Sequence, residues 1–285
     1  MTKPQDRFNL NNIKNKEYNI IIKIMMEVLI ILINENSLFL LEEVVKRNFA
    51  SKYKDSVLGI FWSILRPLLM MVLLTIIFST LFRWEIMNYP VYLLSGRCLF
   101  DFFSGATGFC MNALNGNKNI LQKTAAPKYI FILGCVISEF LNFFITIIIL
   151  IGVMIVTKNP FYFNIMPLSI IPIFSLVCLI TGVGLILSIV SVYFSDIQHL
   201  WGVFILALLY ASAIFYPMNI IPEPYHNMMI LNPLFWIIDQ FRAFMVYGTI
   251  PSIIYITNAV LFSLIVLVIG IIVFKKFEKQ VPMKF

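Results

Sequence analysis

Residues 46–82 read KRNFASKYKDSVLGIFWSILRPLLMMVLLTIIFSTLF. The first third of this stretch is basic and amphipathic, and the rest is almost wholly apolar. Such a pattern lies along a charged surface, turns at Gly59 and enters a bilayer near Arg66-Pro67. Downstream, the chain repeats the entry. Of its 285 residues 60% are hydrophobic and only 12% charged, whereas a soluble domain carries about a quarter charged residues. The mean hydropathy is +0.92. So large an apolar surplus cannot be hidden in a soluble core, and the chain reads as an all-α integral membrane protein.

Upstream of the quoted stretch, residues 1–19 are polar and no early apolar run ends in small residues, so no signal peptide is expected. Residues 20–33 are apolar but number only 14 and contain Lys23 and Glu27 on one helical face. They are short of the roughly 20 residues that span a bilayer, so they suit an interface helix, with an extra span as the alternative. Residues 37–54 form a second amphipathic helix. Ser37 is its expected cap, Leu41, Val44, Val45 and Phe49 its apolar stripe, and Glu42–Lys46 and Glu43–Arg47 its ion pairs.

Downstream, six spans are expected over about 58–82, 91–113, 130–156, 168–192, 200–217 and 251–274. Gly182 and Gly184 in the fourth allow close helix packing. Residues 218–250 are long enough to contain a span, but Asn232-Pro233, Asp239 and Arg242 break their apolar face. A seventh span would also carry the tail lysines to the outer side. With six spans and both termini inside, only Arg83, Arg97, Lys158 and Arg242 of the 21 Lys and Arg fall elsewhere than the inner side. Residues 218–250 then form a re-entrant helical hairpin on the outer side, at the mouth of a pathway. The expected layout is a cytoplasmic tail with interface helices over 1–57, a six-span domain over 58–275 and a basic tail over 276–285.

Catalytic groups are scarce. His199 and His226 fall on opposite faces of this topology and cannot share a metal. The sequence has no HExxH, GxSxG or GxxxxGK[ST], so no metal site and no nucleotide-binding loop are expected. Cys98, Cys110, Cys135 and Cys178 lie in apolar runs without CxxC spacing and read as small buried hydrophobes. The net charge of +7 fits cytoplasmic loops facing anionic membrane lipid rather than nucleic acid. Arg97 and Asp101, four residues apart in the second span, can pair; Glu139 in the third has a structural or a proton-relay reading. The 27 Phe, 12 Tyr and 4 Trp line either lipid or a glycan pathway, with Tyr92, Tyr210, Phe215 and Tyr216 as candidates for the latter. A membrane-embedded glycosyl- or acyltransferase would need clustered acids or a histidine at one face, and none is seen.

Lys46-Arg47-Asn48-Phe49, Lys52-Tyr53-Lys54-Asp55-Ser56-Val57-Leu58-Gly59, Trp62 and Arg66-Pro67-Leu68 together resemble the KRDxxxRYKxSxLGxxWxxxxPL entry of the polysaccharide ABC-exporter permeases. Asn48 replaces the usual acid and Lys52 the common Arg. Asn119–Lys123 with Ala126-Pro127-Lys128 resembles that family's inner loop NxxLIKKxxFPR, and Tyr193–Leu200 its YRDIRHL. Phe215-Tyr216-Pro217, Ile221-Pro222-Glu223 and Asn232-Pro233-Leu234 through Phe241-Arg242 resemble its PIFYPxxxxPE…NPLxxxIxxFR.

The resemblance implies a permease homodimer above two copies of an ABC ATPase subunit, exporting a lipid-linked glycan such as O-antigen or a teichoic acid. The chain itself would bind no cofactor, with ATP and magnesium held by the partner. It implies ATPase coupling through Arg47, Lys52, Tyr53, Lys54, Lys118, Lys123, Lys128 and Asp196. It also implies pathway or gating roles for Trp62, Arg66, Pro67, Tyr92, Arg97, Asp101, Tyr210, Phe215, Tyr216, Asn232, Pro233 and Arg242. A permease of the same class moving a drug or small lipid is the rival reading.

Overall fold

The computed structural model describes residues 35–53, 61–78, 88–124, 126–218 and 231–281, with the single positions 86, 222 and 229. Among these residues the fold is entirely helical. The helices are α1 (Glu35–Tyr53), α2 (Trp62–Ile76), α3 (Tyr89–Gly116), α4 (Lys118–Lys123), α5 (Tyr129–Val156), α6 (Ile170–Tyr193), α7 (Ile197–Tyr210), α8 (Pro233–Arg242) and α9 (Ile253–Phe277).

Among the described residues three stretches are long and apolar enough to cross a membrane: Tyr129–Val156, Met166–Tyr193 and Ile253–Phe277. The first is α5, the second joins a short 3-10 turn to α6, and the third is α9. α3 matches α5 in length, at 28 residues, but is more polar. α3 is the axis of the bundle. It packs along α5 and α6, while α9 lies against the far side of α6.

Glycines allow these contacts. A Cβ on Gly182 would lie 2.6 Å from the Val266 carbonyl oxygen, and one on Gly270 would strike the Gly182 backbone. A Cβ on Gly184 would lie 2.9 Å from the Cys110 side chain on α3. Helices in lipid gain no hydrophobic drive to associate, so close backbone approach supplies the attraction. The close packing expected at Gly182 and Gly184 is therefore present, and its partners are α9 and α3.

The fifth span departs from expectation. A helix over 200–217 was expected to stop at Tyr216-Pro217; α7 instead has 14 residues and ends at Tyr210. The chain then turns through 211–216, with Ala213 at a positive φ of 49°. The carbonyls released by this break are claimed from elsewhere: Asn232 donates to Ala211, Arg242 to Ala213 and Ile214, and Tyr89 to Phe215. Those side chains are what make an early helix end tolerable at membrane depth.

Within the expected re-entrant region, α8 continues into a π-turn at Ala243–Tyr247. Gly248, at φ 63°, closes the turn beneath the Tyr162 ring. α8 buries Leu234, Ile237, Ile238 and Phe241 against the bundle. The first limb of the hairpin lies largely outside the described residues, as do residues 20–33 and both ends of the expected first span. The four cysteines are all buried and unlinked.

Candidate functional site

Two surfaces bring the sequence-predicted residues together, and a third cluster holds them in register.

The first surface is where α1 meets the bundle. α1 is described from Glu35, so Ser37 lies inside the helix rather than capping it. Of the expected stripe only Val44 is fully buried, joined one turn later by Asn48. Val44 fills the space that a side chain at Gly134 of α5 would take. Asn48 Nδ2 lies 3.7 Å from Cys135 Sγ. One turn on, Lys52 Nζ is 2.9 Å from Glu139 Oε1, whose carboxylate also accepts from Asn142. Positions 44, 48 and 52 thus form one seam running down α5 through 134, 135 and 139.

Of the expected ion pairs, Lys46–Glu42 forms at 2.8 Å, and this hydrogen bond keeps the Lys46 ammonium above its ordinary pKa. Arg47 does not pair with Glu43; it donates instead to Asn117 Oδ1 at 2.7 Å, just before α4. Lys118 and Lys123 are exposed on α4, Asp196 is exposed at the start of α7, and Lys128 is half-buried before α5. Lys54 and the Tyr53 side chain lie outside the described residues. The structural reading of Glu139 is the one its ion pair supports.

The second surface is a polar stripe on α3. Arg97, Asp101, Ser104, Gly108, Asn112 and Asn115 recur every three or four residues, so they share one face. The stripe runs about 27 Å, near the thickness of a hydrocarbon core. Arg97 Nε is 2.9 Å from Asp101 Oδ1, and the Asp101 side chain remains 47% exposed. The Arg66 guanidinium on α2 acts electrostatically on Asp101 from across the groove. Gln198 of α7 donates to Asn112 Oδ1 at 2.8 Å. Among the described residues nothing lies within 4 Å of a Cβ built on Gly108. α2 and α7 flank the stripe, and neither buries a single residue. Trp62, Arg66 and Tyr210 on those two helices are exposed, and Pro67 lies inside α2.

The third cluster centres on Arg242, which is 3% exposed. Its Nη1 donates to Ala213 O at 2.9 Å, and its Nη2 to Tyr92 O and Ile214 O at 3.1 Å each. The guanidinium carbon lies 3.6 Å from the centre of the Tyr92 ring. The Tyr92 hydroxyl is within 2.9 Å of Ala213 O and 2.8 Å of Tyr216 O. The Tyr216 hydroxyl in turn reaches the Tyr210 carbonyl. Phe215 stacks on Phe78 at 5.3 Å. Asn232 caps α8 through the Leu234 amide, with Pro233 in the first helical position. Tyr92, Phe215, Tyr216, Asn232 and Arg242 therefore gather into one knot that fastens α3, the 211–216 turn and α8. They are buried or half-buried in it and do not line an open path within the single chain.

Among the described residues no group of His, Cys, Asp and Glu gathers as a metal site. The family model described as ABC-2 type transporter matches residues 39–246. The chain belongs to the ABC-2 type transporter family. The match runs from α1 to the π-turn after α8, so both surfaces and the knot fall inside the ABC-2 transporter domain.

Relatives of this ABC-2 transporter include the O-antigen export system permease protein RfbA of Klebsiella pneumoniae, 28% identical over 244 residues, 84% of this chain and 92% of that one. RfbA of Myxococcus xanthus is 24% identical over 218 residues, covering 75% and 82% of the two chains. The polysialic acid transport protein KpsM of Escherichia coli is 25% identical over 242 residues, covering 84% and 93%.

Sequence reasoning missed the Lys52–Glu139 pair, although Glu139 is the lone acid of α5 and 87 residues separate it from its partner. The stripe was legible only at Arg97 and Asp101; its continuation through Ser104, Gly108 and Asn112 shows at helical spacing once the helix is known.

Proposed function

We propose that this chain is the membrane permease of an ATP-driven exporter that moves a lipid-linked polysaccharide from the cytoplasmic leaflet to the outer side of the inner membrane. It works as a homodimer of six-span subunits, with both termini cytoplasmic and two copies of an ABC ATPase subunit beneath. The observation that carries this reading is the half-exposed Arg97–Asp101 pair within a span-length polar stripe. An ion pair on a membrane helix is expensive against lipid, so protein or water must cover it. A second copy brought up against α2 and α7 would enclose that face as a hydrated pathway, and hydroxyl-rich chains need such a lining. The names of the relatives favour a polysaccharide over a drug or small lipid.

In this reading ATP is bound and hydrolysed on the partner. Closure of the ATPases pushes on the exposed cations of α4, Lys118 and Lys123, and on α1 through Arg47. Asp196 at the start of α7, with Tyr53 and Lys54 beyond the α1 seam, completes the inner contact surface. The Lys52–Glu139 pair carries the push from α1 into α5, and the stripes of the two copies part. Two arrangements with different affinity for the ATPase states are required for such coupling.

Depletion of the protein tests the proposal. Lipid-linked polymer should accumulate in the cytoplasm and disappear from the cell surface. Surface polymer at undiminished levels would refute it.

A further inference from the structure

Away from the polar stripe, α5, α6 and α9 enclose a groove of about 480 Å³, within the about 300–1,000 Å³ range of small-molecule sites. Its floor is one face of α6, where Val177, Thr181 and Leu185 follow one another at four-residue spacing. Leu133 of α5 forms one wall, and Leu267 and Ile271 of α9 the other. Thr181 spends its hydroxyl on the Val177 carbonyl at 2.7 Å, so the floor asks for no polar partner. At one end the character changes abruptly: Lys128, Lys275 and Lys279 stand at the rim, with Glu278 the sole acid among the described lining residues. This is the end that bears α4 and the C-terminal lysines.

We propose that this groove is a binding site for an anionic membrane phospholipid, with its headgroup phosphate at Lys128, Lys275 and Lys279 and one acyl chain lying along α6. The length of floor between residues 177 and 185, about 12 Å, suits a stretch of chain rather than a compact solute. Three cations over one acid leave the rim positive where it meets the headgroup layer, and basic pockets between spans on the cytoplasmic side take anionic headgroups. A free phosphate would use the rim and leave the apolar groove unfilled; a neutral lipid would fill the groove and bring no anion to the net positive rim. The site lies on the opposite side of the bundle from the stripe, so it differs from the pathway. Its placement at the inner leaflet rests on the orientation proposed above.

The experiment uses the full chain with its ATPase subunit in phosphatidylcholine vesicles containing a trace of phosphatidylglycerol that carries a diazirine on one acyl chain. After illumination, mass spectrometry should find adducts on the peptides bearing Leu133, Val177 and Ile271. Unlabelled phosphatidylglycerol should compete, and phosphatidylcholine or inorganic phosphate should not. The combined variant K128Q/K275Q/K279Q should lower labelling at least about tenfold. V177F, which fills the groove and leaves the lysines in place, should abolish it.

Labelling of the triple variant within about twofold of the unaltered protein would overturn the proposal, as would equal competition by phosphatidylcholine. Adducts that appear only when residues 1–34 are deleted would also overturn it, by giving the groove to that segment. The readout is lipid attachment and not export, so its failure leaves the export proposal standing.

Discussion

On one side of α3, Leu99, Phe102, Ala106 and Cys110 are buried against α5 and α6; on the other, Arg97, Asp101, Gly108 and Asn112 look out between two helices that bury nothing. The first side is closed where Gly184 meets the Cys110 side chain and by the Arg242 knot, and the bundle behind it by the backbone approach of Gly182 and Gly270. The second has charge, small residues and space. A single helix thus serves as both foundation and working surface. The same kind of substitution should have opposite consequences on its two sides, because the closed side has no room to relax and the open side has room for a larger side chain.

Glycine replacement breaks this comparison most sharply. Gly182→Leu drives a side chain into the Val266 carbonyl, which is backbone and cannot step aside. It should cost roughly 3 kcal/mol or more, seen as loss of monodisperse complex after detergent extraction. Gly108→Leu meets nothing within 4 Å. It should leave extraction unchanged while reducing export, measured as surface polymer per permease. Equal loss of folded protein in both variants would erase the distinction between the sides.

Arg242→Met comes next. It withdraws charge-assisted hydrogen bonds from three buried carbonyls, those of Ala213, Ile214 and Tyr92. A loss of about 3 kcal/mol in thermal or denaturant stability is expected. Asp101→Asn works on the open side, where the carboxylate is half exposed. It should lower export several-fold with stability changed by no more than about 1 kcal/mol.

The α1 seam comes last. Lys52→Glu should uncouple ATP hydrolysis from export, and the exchange K52E/E139K should restore part of it. Lys52 is 44% exposed, so the coupling energy should be only about 1 kcal/mol in a double-mutant cycle. A cycle with no coupling would remove the seam from the route.

How far the sequence predicted this division depends on the kind of signal. Membrane-long apolar runs and their order were legible because hydropathy over 20 residues is a sum, insensitive to where each side chain points. The Arg97–Asp101 pair was legible because helical spacing is local. The early end of α7 was not, since the donors that hold its last carbonyls sit on α3 and α8, far along the chain. Arg242 read as an outer-mouth cation for the same reason: its hydrogen bond to Tyr92 spans 150 residues. Burial of α1 on α5 was half visible. The stripe named Val44 but gave Asn48 no inward role, because a polar residue on a buried seam follows no apolar pattern.

The four cysteines, buried and unlinked, have a practical consequence. A charged maleimide in the aqueous phase attacks thiolates it can reach, and none of these thiols lies at the surface. A cysteine introduced along α2, α7 or the stripe of α3 would therefore be the first to react in the otherwise unaltered chain. Its modification rate, followed with and without ATP on the partner, would give a reading of pathway opening position by position.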